Sequence, residues 1–426
     1  MAERDAARGA GQGRVSLTPE WSLLVACARH ATGSGRDGAG EGPAGATSEA
    51  GPLASAPVDG RATSAAPDAI DWEALLELAD RHGLSAFLQR FLERVAPVEA
   101  PPPVLARLRE RVRLRTRENL RHAAGLIALA PAMEAAGIDT MAYKGPVLSE
   151  RLHGNSTLRD FDDVDLLVRE RDVDEATRFL QVRGLRPWFE LKPDQEGRLG
   201  DSQYARHFGN AETGVAVDLH WGFAQPYLSS GLDEATIWAD PQEVALGPVR
   251  LRTLADPLLL LVLCVHGSKH EPHPWNRLKW IVDVAGLSRL IPGDRWGPLV
   301  TQARALHLER PLLFGLLVAH RLLATPLAPP VEERLRAVGD IEPLADAVLA
   351  TLTSPSGDAA PTRIDYDLRL LDRRRDRVRY VLHRLFVPNP KDWAVVELPR
   401  WLAPAYYVLR PFRLLSASLS RCAEPR

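Results

Sequence analysis

The chain has 426 residues, 45% of them hydrophobic and 25% charged, ordinary proportions for a soluble globular protein that can bury a sizeable core. A formal net charge of −2 removes any bulk electrostatic case for nucleic acid. Cys27, Cys264 and Cys422 are far apart and form no Cys-x-x-Cys, which excludes a disulfide framework and a zinc site and fits a reducing compartment. The length is a soft prior for two or three domains. The longest purely apolar run, Pro257 to Val265, is well short of the roughly 18 to 20 residues a membrane helix needs. The N-terminus lacks the charged, apolar, small-residue order of a signal peptide. A cytoplasmic protein with no stable membrane insertion is expected. Lysine occurs only at 144, 192, 269, 279 and 391, so nearly all of the 53 basic residues are arginine. Codon bias is the simplest cause, yet a retained lysine supplies a compact point charge that arginine does not.

In chain order, residues 18–30 read as a short helix and 31–69 as a Gly/Ala/Ser/Pro-rich insert with too few large apolar residues to order itself. Asp71 caps a helix that Gly83 breaks; Leu84 to Val95 form a second. Pro101–Pro103 open a long helix reaching about Ala136, with Leu105, Leu108, Val112, Leu126 and Leu129 among its apolar positions. The pattern changes at Gly137. Residues 138–143 read as a strand, Lys144-Gly145 as a turn, and Pro146 to His153 as a helix with proline first. A polar loop over 154–161 leads into the strand 163–168, after which Asp172 caps a helix that ends near Gly184. Strands are expected over 185–190, 203–208 and 214–220. This order indicates a small mixed sheet with helices on one side, an α+β core in a largely helical protein. From Asp256 helices are expected over 256–270, 275–290, 295–307, 310–323, 331–338, 341–353 and 364–385, followed by an irregular tail rich in Trp, Tyr, Pro and Arg from Asn389 to Arg413.

Asp163 and Asp165 lie two apart on a strand, so their side chains share a face roughly 6 to 7 Å apart, near enough to share divalent cations. Val164 points the other way, and Leu166-Leu167-Val168 anchors the strand. Asp218 ends another strand and would complete a two-metal site; His220 shares its face. The competing reading is a solvated acidic loop made by Asp160, Asp162, Asp163 and Asp165. Asp160/Asp162 has the same spacing, but the apolar strand starts only at 163. Lys144-Gly145 precedes a helix whose free N–H groups suit a phosphate, or it is an ordinary strand-to-helix turn. Arg159 either reaches a phosphate or pairs with a neighbouring aspartate.

Taken together, Lys144-Gly145, Leu148, Arg159, Asp163-Val-Asp165-Leu-Leu-Val168 and Val217-Asp218-Leu-His220-Trp221 resemble the bacterial uncharacterised nucleotidyltransferase family of the DNA polymerase beta superfamily. The run 258–270 with 275–285 resembles its helical half, and 401–413 its tail, so that the resemblance covers about residues 70 to 415. It implies a nucleotidyltransferase core at 137–250 between helical segments 71–136 and 251–426, with residues 1–70 outside it. It implies that Asp163 and Asp165 bind two Mg²⁺, replaceable by Mn²⁺, and that Asp218 binds one and helps deprotonate the acceptor. Lys144, Gly145, Arg159, His220 and Lys269 would contact the NTP. The reaction would be attack of an acceptor hydroxyl on the α-phosphate, the acceptor being a small molecule, protein or RNA. Gly145-Pro146 departs from the wider superfamily, because proline removes one N–H from the phosphate loop.

His266, Lys269, His270 and His273 cluster at a helix end, but no glutamate follows His266, which excludes a His-Glu-x-x-His protease. Substrate contact and structural capping compete there. Lys279 and Asp283 read as an exposed i,i+4 ion pair, Trp275 and Trp280 as core. In the run 369–379, arginines alternate with Asp372 and Asp376 and read as a salt-bridged, solvated face, with RNA binding as the sharper alternative and a membrane contact by the tail as another. Two rival functions stand beside the transferase: a non-catalytic nucleotide- or partner-binding domain, and a DxD glycosyltransferase. The latter generally needs an alternating strand–helix unit before its acidic pair, and this chain has helices there.

Overall fold

Local chemistry sets the helix ends. In the computed structural model, which describes residues 17–33, 69–95, 99–188, 204–225, 231–269, 273–353, 362–387, 402 and 404–423, Asp71 accepts from the backbone N–H groups of Glu73 and Ala74, and Gly83 closes the same helix at φ 69°. The aspartate satisfies two donors that the first turn leaves unpaired, and glycine enters the left-handed region without a Cβ clash. This helix is α2 (Trp72–His82). It follows α1 (Pro19–Gly33) and precedes α3 (Ser85–Arg94) and α4 (Pro102–Ala135). Residues 31–33 continue α1, and the insert expected beyond them lies outside the described residues from 34 to 68.

Strands β1 (Thr140–Ala142), β2 (Val164–Val168), β3 (Arg186–Pro187), β4 (Ala205–Gly209) and β5 (Ala216–His220) form one mixed sheet in the order β1-β2-β5-β4-β3. Only the β2–β5 pair is parallel. Between β1 and β2 runs α5 (Gly145–His153), and α6 (Val173–Val182) follows β2. Asp172 ends a short 3-10 turn and makes no capping bond with its side chain, unlike the cap expected there. Alternation divides the sheet's faces. Val164, Leu166 and Val168 of β2 and Val217 and Leu219 of β5 pack with Leu126, Leu129 and Met133 of α4 and Ala176 and Leu180 of α6. The opposite face is thereby left to Asp165, Asp218 and His220, and the helical half of the protein meets it there: Met141, Tyr143 and Leu167 belong to the larger helical core.

A second, two-stranded sheet, β6 (Gln242–Leu246) with β7 (Val249–Thr253), follows the short α7 (Glu234–Ile237). No strand was expected in this segment. Leu246 pairs with Val249 across Gly247-Pro248, and Gly247 has φ 58°. A positive-φ glycine opening a two-residue loop between alternating strands is a hairpin signal, and here the sequence carries it.

Nine helices complete the chain: α8 (Asp256–Lys269), α9 (Leu278–Ser288), α10 (Trp296–Ala305), α11 (Glu309–Leu323), α12 (Pro329–Val338), α13 (Glu342–Thr353), α14 (Arg363–Leu370), α15 (Arg374–Phe386) and α16 (Ala405–Ala423), counted among the described residues. The single helix expected over 364–385 is two. Asp372 turns out of the chain at the break and accepts from the backbone N–H groups of Glu309 (2.9 Å) and Arg310 (3.1 Å), at the start of α11. Asp376 is buried, so neither aspartate sits on the solvated salt-bridged face expected for this run. Residues 405–413, expected to be irregular, begin α16, while Trp401 lies outside the described residues.

α1 to α3 share one apolar core with α8 to α14, through residues such as Trp21, Leu75, Leu260, Phe314 and Tyr366. Trp275 is fully buried, as expected, and its Nε1 donates to the Tyr366 hydroxyl at 3.2 Å. Its ring fits between two helices because Gly267 and Gly315 have no side chain: a Cβ on Gly267 would stand 2.7 Å from the ring and one on Gly315 3.0 Å. Gly→Ala inside a helix ordinarily gains about 1 kcal/mol. Gly267→Ala is expected instead to lose about 1–3 kcal/mol, because a rigid buried ring has nowhere to move; the urea midpoint of the variant reads the sign.

Candidate functional site

The register of the parallel pair sets Asp165 directly beside Asp218, and the antiparallel pair on the other side sets His207 beside Asp218. His220, two residues along β5, projects from the same face as Asp218. One carboxylate oxygen of Asp165, one of Asp218 and a ring nitrogen of His220 lie within 4.8 Å of one another. Asp163 stands one residue before β2, partly buried, and is not a member of that tight group. It is nonetheless close enough for the charges of Asp165 and Asp218 to act on it.

Two lysines converge on these acids. Lys144, two residues beyond β1 and at the N-cap of α5, donates from Nζ to Asp165 Oδ1 at 2.5 Å, and His220 Nε2 lies 3.1 Å from the same oxygen. Lys269, in the last turn of α8, donates to the Phe223 carbonyl at 2.7 Å and lies 4.4 Å from the Tyr204 ring centre. His207 Nδ1 is hydrogen-bonded to Asp218 Oδ1. Tyr143 meets the His220 ring edge-on at 5.5 Å, and Tyr204 stacks over it at 6.4 Å. The site is therefore a charged cluster in an aromatic frame, with groups from the sheet and from the helical half.

Burial alone would raise the Asp165 carboxyl, but the Lys144 ammonium and the His220 hydrogen bond outweigh it and hold the group below the usual carboxylate range. For Asp163 the Lys144 charge pulls the same way but is outweighed. Burial, then the negative charges of Asp165 and Asp218, push it up to about 7. Burial lowers His220, whereas the bond to Asp218 raises His207. Lys269 is lowered to about 7, first by burial and then by the Lys144 charge. Carboxylate oxygens gathered on one face suit a hard divalent cation, which takes oxygen ligands.

The other expected contacts divide. Gly145, at φ 55°, begins α5 against the start of β2; a Cβ there would come within 3.2 Å of the Asp163 carbonyl. The free end of α5 therefore abuts the acidic strand, with Pro146 next in line. Arg159 is turned away. It is 4% exposed, and its Nε and Nη2 bond both oxygens of Asp283 on α9 at 2.7 and 2.8 Å. The expected exposed pair between Lys279 and Asp283 is corrected by the same bonds: Asp283 is buried on Arg159, and Lys279 Nζ donates to the Asp160 carbonyl at 3.1 Å. The alternative acidic pair is engaged elsewhere, since Arg115 of α4 lies 3.0 Å from Asp162 and 4.0 Å from Asp160. His266 packs edge-on against Trp280 at 5.3 Å, His273 is exposed, and His270 lies outside the described residues.

His207, Tyr143 and Tyr204 were not singled out from the sequence. Strands were expected at their positions, yet only the pairing of His207 with Asp218 in register makes the histidine part of the site.

The family described as "Uncharacterised nucleotidyltransferase" matches residues 68–324. Nothing matches among curated proteins. Among solved structures, the crystal structure of an antigenic nucleotidyltransferase-like protein from Paracoccidioides brasiliensis is similar at 15% identity and a TM-score of 0.30, over 49% of this chain and 94% of that chain.

Proposed function

The chain belongs to the uncharacterised nucleotidyltransferase family, and from that premise we propose that it transfers a nucleoside monophosphate from an NTP to an acceptor hydroxyl, with Mg²⁺ held by Asp163, Asp165 and Asp218 and with release of pyrophosphate. The observation that carries this reading is the parallel register of Asp165 with Asp218, which brings two carboxylates from distant parts of the chain onto one face. In this reading the core spans residues 137–250, with helical segments over 71–136 and 251–426.

Magnesium bound there would neutralise charge on the phosphate oxygens. The chain's own groups do the rest. Lys144 and the N–H of Gly145 at the free end of α5 hold the triphosphate, and Lys269 adds a second ammonium from the helical half. An Asp218 oxygen accepts the proton of the acceptor hydroxyl, with His207 orienting that carboxylate. His220 fixes Asp165. Arg159 serves as a positioning residue, because its guanidinium is bonded to Asp283 and to the Asp160 carbonyl. Positioning and preorganised charge supply most of the rate in such a site.

Binding without turnover is the second reading. Two features favour it: Lys144 occupies an Asp165 oxygen, and Pro146 withholds an N–H from the α5 end. A DxD glycosyltransferase is not supported, because helices precede β1 among the described residues.

Titration calorimetry with a non-hydrolysable NTP, with and without Mg²⁺, followed by pyrophosphate release from NTPs over an acceptor panel with Mg²⁺ or Mn²⁺, tests the proposal. Nucleotide binding that disappears on chelation is expected, together with pyrophosphate release. Nucleotide binding, with or without metal, and no release over a broad panel favours the second reading, and the absence of any nucleotide binding removes both.

A further inference from the structure

α15 is built inside out. Its inward face carries Asp376 and Tyr380, 5% and 1% exposed, while Val378, Val381, Leu382, Leu385 and Phe386 all stand exposed. Their spacing of i, i+3, i+4, i+7 and i+8 is a single apolar stripe. In an ordinary globular protein such a stripe faces the core. The neighbouring α16 packs beside α15, with Arg410 Nε donating to the Arg384 carbonyl at 3.0 Å. It leaves Tyr407, Val408, Leu409 and Phe412 exposed as well.

Among the described residues of α15 and α16, the charges around the stripe have one sign. α15 contains Arg374, Arg375, Arg377, Arg379 and Arg384, and its one acid, Asp376, is turned inward. α16 contains no acid at all. On the helical wheel Arg374 and Arg375 lie at the N-terminal end of the apolar stripe, while Arg377 and Arg379 flank it. Apolar side chains bordered by arginine, with no exposed carboxylate among the described residues of the two helices, match a surface that is oily underneath and anionic on top. A second copy of the chain would set arginine against arginine. Nucleic acid would use the guanidinium groups but has no use for exposed valine and leucine. Among the described residues no helix is long and apolar enough to cross a membrane, so the contact is with the surface of one leaflet.

We propose that α15 and α16 dock on an anionic lipid bilayer, with Val378, Leu382, Leu385 and Phe386 entering the acyl boundary and Arg374, Arg375 and Arg379 at the headgroups. The proposal is independent of the nucleotidyl-transfer reading.

Flotation of the full chain with phosphatidylserine–phosphatidylcholine vesicles, and with pure phosphatidylcholine vesicles, tests it. The wild type is expected to float with the first and far less with the second, and to be released as salt rises. Arg374→Ala with Arg375→Ala is expected to weaken partition roughly fivefold for each arginine removed. Leu382→Glu with Leu385→Glu is expected to abolish it. All four side chains are surface-exposed, and far-UV circular dichroism checks that each variant is folded. If a variant proves unfolded, the wild type's lipid and salt dependence still decides. Three results overturn the proposal: no flotation with anionic vesicles at low salt; a concentration-dependent dimer that Leu382→Glu disperses, without flotation; or RNA binding that the leucine variants leave intact, without flotation.

Discussion

Arg159→Ala is expected to lower the unfolding free energy by about 3–5 kcal/mol, the cost of leaving a buried charge unpaired. Arg159 and Asp283 are 4% and 1% exposed and meet in a two-point bond. Without the guanidinium, the Asp283 carboxylate remains inside α9 with its main partner gone. The damage should spread to the site, because Arg159 sits in the loop that leads into β2. Asn119 Nδ2 fixes that loop through the carbonyls of Thr157 and Arg159, both at 3.0 Å, and Ser149 Oγ accepts from the Arg159 N–H at 3.1 Å. Arg159→Lys keeps the charge but loses the two-point geometry and should fall between wild type and alanine. The double variant Arg159→Met with Asp283→Leu separates the causes. If an unpaired charge drives the loss, an apolar pair of similar volume should recover much of the stability while any effect on the loop persists. Urea unfolding of the three chains is the measurement. An Arg159→Ala chain within about 1 kcal/mol of wild type would mean that the pair contributes no more than a surface bridge does.

The same residue marks the boundary of what the sequence discloses. Arg159 and Asp283 are 124 positions apart, and neither carries a local pattern that names the other. Sequence spacing instead paired Asp283 with Lys279, a helix neighbour, and reported a surface where the fold has an interior. Features written within a few residues were legible: the Asp71 cap, the Gly83 stop, and the alternation that puts Asp165 and Leu166 on opposite faces. The Gly247-Pro248 hairpin is equally local. The breaks at Asp372 and the role of His207 were not local. Asp372 leaves its own helix to serve the start of α11, and His207 joins the site only through strand register. The acids at 165 and 218 are grouped in the sequence by their places on two strands and, more specifically, by the resemblance. Parallel pairing supplies the physical reason that they meet.

Asp165→Asn carries the largest expected effect on function. Asparagine keeps the shape of the side chain and removes one negative charge from a group that the Lys144 ammonium and His220 hold ionised. Electrostatic groups aimed at developing charge are worth about a hundred- to a thousandfold in rate when one is removed. A carboxylate that also held the metal, as proposed, would stand at the upper end of that range. Nucleotidyl transfer, Mg²⁺-dependent nucleotide binding and Mn²⁺ affinity should therefore fall together. Asp218→Asn should lower the same three quantities, but the two variants should differ in stability. Asp165 is buried and pairs with buried Lys144, so its neutralisation leaves an ammonium with less compensation and the variant should also unfold more easily. Asp218 is less buried and bonds the half-exposed His207, so its loss should leave stability nearly unchanged. The contrast distinguishes a collapsed site from an intact one that lacks its charge. A folded Asp165→Asn chain that binds Mn²⁺ within about twofold of wild type, where even an indirect partner of a ligand costs about tenfold, would show that the paired aspartates of β2 and β5 do not hold the metal.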